Sequence, residues 1–102
     1  MSNKEPARNP AIPRCVARLF VCGDALNSQR ARENLRRLRE TLDHVEFKVS
    51  VIDVNQAPQT ALDHGIFVNP ALQVLEPAPG MLIYGDLRDL TALASLFPKG
   101  DA

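Results

Sequence analysis

Val16 to Cys22 is a nearly unbroken apolar run, Val-Ala-Arg-Leu-Phe-Val-Cys, that stops at Gly23-Asp24. Such a run predicts a short strand buried on both faces of a partly parallel sheet. Ala31, Leu35, Leu38 and Leu42 then recur at i, i+4, i+7 and i+11. This is one stripe of a helix running from about Asn27 to Asp43, and Asn27 or Ser28 is suited to cap its first turn. Phe47-Lys48-Val49-Ser50-Val51 alternates with period two and continues into Ile52-Asp53-Val54, a second strand. Strand, helix and strand with short joints predict a βαβ unit with a right-handed crossover.

The second half is patterned in shorter pieces. Pro58 opens a brief helical segment, Gln59 to His64, which Gly65 closes. Pro70-Ala71-Leu72-Gln73-Val74-Leu75 and Met81-Leu82-Ile83-Tyr84 flank Pro77-Ala78-Pro79-Gly80, two apolar runs joined by turn residues, as in a β-hairpin. Pro70 suits the first position of a strand, where no N–H is required of it; its peptide isomer is not legible from sequence. Asp86 is placed to cap a last helix with Leu87, Leu90, Leu93 or Ala94, and Phe97 facing inward. Asp89 falls in its first turn and Pro98 ends it. The order β-α-β-α-β-β-α predicts an α/β, thioredoxin-like fold around a mixed four-stranded sheet. Residues 1–13, with three prolines and no apolar period, read as a disordered tail ahead of a folded domain over 14–98.

Composition narrows the function. At 102 residues the chain is one domain, and 12 basic side chains balance 12 acidic ones. A zero net charge argues against a nucleic-acid or membrane-surface binder that works by bulk electrostatics. No apolar stretch approaches the ~18 residues of a membrane span, and the first residues lack a signal-peptide core, so a cytoplasmic protein is expected.

Cys22 lies at a strand end just before a helix, where thioredoxin-type folds place a reactive thiol. No cysteine follows at i+3, however, and thiol–disulfide exchange needs a resolving partner. Cys15 sits roughly 23 Å away along an extended strand, so Cys22 reads as a small buried strand residue. Cys15, Cys22, His44 and His64 show no short-spaced ligand pair of the kind zinc sites use; the histidines read as surface or capping residues. The helix carries Arg30, Arg32, Arg36, Arg37 and Arg39 against Glu33, Glu40 and Asp43. A solvated face with an Arg36–Glu40 pair is the simplest account, and a protein-docking face the alternative. Asp53, Asp63, Asp86 and Asp89 form no recognisable catalytic pair, and no phosphate loop or nucleophile elbow occurs. No catalytic residue, cofactor or metal ligand is predicted.

Four blocks carry a resemblance. Leu19-Phe20-Val21-Cys22-Gly23-Asp24-Ala25-Leu26-Asn27-Ser28, Val51-Ile52-Asp53-Val54, Ile66-Phe67-Val68-Asn69-Pro70-Ala71-Leu72 and Tyr84-Gly85-Asp86-Leu87 stand in the family's register over about Val16 to Phe97. Together they resemble the KaiB family of circadian-clock regulators. The resemblance implies a non-enzymatic module that docks on a KaiC-type hexameric ATPase, with a sensor histidine kinase as a further partner. It also implies two arrangements of the C-terminal half: a monomeric thioredoxin-like ββα form and a rearranged, tetrameric ground state. By resemblance the docking residues are Lys48, Ser50, Asp53, Asn55, Gln59, Asp63 and Gly65, while Gly23, Pro70, Gly85 and Asp86 determine the fold. The chain also departs from the family. Met81 and Leu82 replace two arginines, Gly65 replaces a lysine, and Leu96 and Pro98 alter the end. An apolar strand over 81–84 favours the ββα form. The runner-up reading is a thiol oxidoreductase using Cys22.

Overall fold

The computed structural model describes residues 12–99. Most of the expected tail lies outside them. The elements follow the expected order: β1 (Arg14–Val21), α1 (Leu26–Thr41), β2 (Glu46–Asp53), α2 (Pro58–Asp63), β3 (Ala71–Glu76), β4 (Met81–Tyr84) and α3 (Thr91–Ala94). They build a mixed sheet in the order β2-β1-β3-β4. β1 runs parallel to β2, while β3 is antiparallel to both β1 and β4. The parallel pair needs a crossover, which α1 supplies. Opposite Val16 and Ala17 the register slips, leaving Leu75 as an extra residue between Val74 and Glu76.

Alternation along β1 assigns its side chains to two layers. Cys15, Ala17, Leu19 and Val21 pack with Ala31 and Leu35 of α1, Leu42 just after it, Leu72 and Val74 of β3, and Leu87, Leu90, Leu93 and Phe97. Phe20 faces the other way and joins Ala61 of α2, Ile66 and Ala71 in a smaller cluster. Six residues of α2 cannot cover that whole face. Leu75, Leu82 and Tyr84 consequently remain 37%, 40% and 49% exposed.

Three expectations are corrected at element ends. Neither Asn27 nor Ser28 caps α1: the helix starts at Leu26, after Ala25, with no side-chain cap. Ser28 is fully buried, and its hydroxyl accepts the Cys22 N–H at 2.9 Å. A part-buried N–H just past the strand end thereby gains a partner. Nor does Asp86 cap the last helix. Its carboxylate accepts the Arg88 N–H at 3.1 Å, and Leu87 takes a left-handed φ of 63° that no helix continues through. The helix shrinks to Thr91–Ala94, with Asp89 Oδ1, ahead of it rather than within it, accepting the Thr91 N–H at 3.1 Å. Leu87, Leu90, Leu93 and Phe97 are nonetheless buried as expected. Finally, Cys22 is not a buried strand residue, since β1 ends at Val21 and the thiol is half-buried.

Candidate functional site

The carboxyl ends of β1 and β2 open together, and two short loops meet there. Asp53 Oδ1 accepts the backbone N–H of Gly23 at 3.1 Å and of Asn55 at 2.9 Å, so one half-buried carboxylate ties both loops. Gly23 turns there with φ +51°, and a side chain on it would meet Asn55 Nδ2 at 3.3 Å. Asn55 is exposed, and its Oδ1 lies 3.7 Å from Cys22 Sγ.

From this junction the chain enters α2, with Pro58 in its first turn, where a missing N–H costs nothing. Gln59 and Asp63 share its outer side, joined by a 2.8 Å bond from Gln59 Nε2 to Asp63 Oδ1. Exposed Gly65, with φ +72°, follows. Lys48 and Ser50 are exposed on edge strand β2, opposite Val16 and Arg18. On the same sheet face Arg18 Nη1 donates to Gln73 Oε1 at 3.1 Å and lies 3.5 Å from His64 Nδ1. His64 is exposed, and its ring lies 6.2 Å from that of Phe20.

The structure thus groups Gln59, Asp63 and Gly65 at α2, places Asp53, Asn55 and Gly23 at the adjoining loop junction, and spreads Lys48 and Ser50 down β2. Pro70 is buried beside this region after a cis Asn69–Pro70 peptide, and its carbonyl accepts the Gly85 N–H at 2.9 Å. Asp86 stands apart, bound by Arg88 beside α1. The arginine guanidinium holds its carboxyl below the usual range.

A model of the KaiB domain matches residues 18–99. The chain belongs to the KaiB family. The circadian clock oscillator protein KaiB of Parasynechococcus marenigrum is 38% identical over 74 residues, which is 72% of this chain and 71% of that one. The protein of the same name from Picosynechococcus is 39% identical over the same shares. Among solved structures, the N-terminal domain of Synechococcus elongatus SasA superposes over the whole of both chains with a TM-score of 0.70 at 21% identity. Mitochondrial thioredoxin 3 of Saccharomyces cerevisiae gives 0.63 at 15% identity, over 85% of this chain and 79% of that one. At such identities these structures show the fold, which is thioredoxin-like.

This KaiB-family chain also exposes apolar side chains that the sequence reading did not single out. Leu62, Phe67 and Val68 are 53%, 76% and 56% exposed around α2 and the loop after it. A sequence signal existed. Ile66, Phe67 and Val68 are three consecutive apolar residues between Gly65 and Asn69, a span too short for a buried strand, and only Ile66 reaches the core. The two cysteines are both free; Cys15 is buried, and burial pushes its thiol pKa up.

Proposed function

We infer that the chain is a regulatory docking module that grips a KaiC-type hexameric ATPase by contact and transforms nothing itself. One observation carries this reading: exposed Leu62, Phe67 and Val68 lie beside Gln59, Asp63 and Gly65, an apolar centre with a polar rim of the kind that forms specific interfaces. Phe67 is the anchor, because a large ring left open to water gains most on burial. Lys48 and Ser50 extend the surface along β2. Asp53 holds the loops that display it, and Asn55 lies at its margin.

Gly23, Pro70, Gly85 and Asp86 act by shaping the backbone. A sensor histidine kinase is a second partner of the same kind. The thioredoxin-like form acts as a monomer, and a rearranged C-terminal half accompanies tetramer formation.

Pull-down against the cognate KaiC-type ATPase, with and without ATP, tests the reading. Binding is expected to be lost in Phe67→Asp with the circular-dichroism spectrum unchanged, and kept in Cys22→Ser. Absence of binding in both nucleotide states overturns the assignment. Insulin reduction abolished by Cys22→Ser would establish the oxidoreductase reading in its place.

A further inference from the structure

The outer side of α1 concentrates positive charge in a chain whose net charge is zero. Between α1 and the loop after β4 runs a groove of about 580 Å³ lined by Arg30, Glu33, Asn34, Arg37, Asp86 and Arg88. Its two walls are tied where Asn34 Nδ2 donates to the Asp86 carbonyl at 2.9 Å.

Both carboxylates in the groove are already engaged. Glu33 accepts from Arg36 Nη2 at 2.6 Å and from Arg37 Nε at 3.1 Å. Asp86 receives Arg88 Nε at 3.1 Å and Nη2 at 2.9 Å, a two-pronged clamp. These contacts hold the arginines in place without exhausting them. A guanidinium carries five N–H donors; Arg37 offers only Nε to Glu33, and Arg88 keeps its Nη1 donors. Arg30 forms no side-chain hydrogen bond or ion pair with any other described residue, although it lines the groove. In the groove itself three guanidinium groups, of Arg30, Arg37 and Arg88, stand against two carboxylates, so positive charge is in excess by one, and Arg37 and Arg88 are held in place by their partners.

We propose that this groove binds an acidic segment of a partner protein, its carboxylates received by Arg30, Arg37 and Arg88. The fork geometry of arginine suits carboxylate oxygens. Nucleic acid fits less well, because among the described residues no aromatic side chain lines the groove for base stacking. α1 and α2 pack on opposite faces of the sheet, so this surface does not overlap the one around Phe67.

Fluorescence anisotropy with a labelled hexaglutamate peptide and the full chain tests the proposal. Saturable binding that weakens with added salt is expected. Arg30→Gln, which removes no side-chain hydrogen bond or ion pair to a described residue, is expected to weaken it about tenfold, as for loss of one charge-assisted bond. Arg32→Gln, on the same helix outside the groove, is expected to leave it unchanged. Peptide-induced amide shifts are expected at Arg30, Asn34, Arg37 and Arg88. Lack of saturable binding, equal losses in the Arg30 and Arg32 variants, or tighter binding of a hexathymidylate oligonucleotide than of the peptide overturns the proposal. None of these readouts involves the ATPase, so failure here and failure of the docking reading are separable.

Discussion

Ser28 shows how a single side chain can mislead a sequence reading and still matter. Its position before a helical stripe fits a cap, but its hydroxyl turns inward onto the Cys22 N–H. That choice depends on Val21 and Cys22 lying behind the helix, which no local pattern states. Ser28→Ala leaves this N–H without its partner and is expected to lower unfolding free energy by about 1–3 kcal/mol, read from urea denaturation. Leu87 is a second case. A leucine at φ 63° is unfavourable in isolation, and it is held there because its side chain is 2% exposed within the main core. Cys22, by contrast, was legible in its most useful aspect, the lack of a partner thiol at i+3.

At the scale of elements, α1 is the piece most fully readable from sequence. Its apolar stripe is buried through Ala31 and Leu35 and on to Leu42 at its C-terminal cap, and the Arg36–Glu40 ion pair forms at the expected spacing. Glu33 joins it from the other side. Hydrogen bonding from Arg36, aided by the charge of Arg36 and by the hydrogen bond and charge of Arg37, outweighs desolvation and brings its pKa down to about 2. The folded-state value therefore lies below the unfolded one. Any stabilisation from this group is present above the ordinary carboxylate range and is lost as pH falls toward 2. Carboxyl-detected NMR is expected to place the Glu33 midpoint near that value, and Arg36→Ala to move it upward; an unmoved midpoint would remove Arg36 as the cause.

The β3–β4 hairpin was equally legible, since apolar runs flank a Pro-Ala-Pro-Gly turn. Gly80 is fixed by geometry: its φ is +86°, and an added Cβ would lie 2.6 Å from the Val74 carbonyl oxygen. Gly80→Ala is expected to cost at least the ~1–2 kcal/mol of the left-handed conformation, seen as a lower denaturation midpoint. α3 was misread because an Asp followed by spaced leucines fits a cap and a helix. The same residues instead form an Asx turn and an irregular loop that buries Leu87 and Leu90, and only Leu93 is buried from the short helix.

For the whole molecule, the decisive contacts join the two halves of the chain. Phe97 is 4% exposed within the main core, its ring 6.3 Å from that of Phe47, and its carbonyl lies 3.0 Å from His44 Nε2. Phe97→Ala is expected to cost about 3–5 kcal/mol, measured by denaturant unfolding; a loss below 1 kcal/mol would show that this end contributes little to the core. The KaiB resemblance was carried by short blocks in register, and the family match over residues 18–99 agrees with it. The element order, the α1 stripe and the hairpin are written in the residue pattern, because periodicity and turn chemistry are local properties of a chain. Where Ser28 and Asp86 direct their oxygens, which apolar residues around α2 stay in water, and that Arg30, Arg37 and Arg88 line one groove follow from the packed fold alone. Those outcomes depend on which distant segments share a surface, and a short α2 laid across a wide sheet leaves part of that surface uncovered.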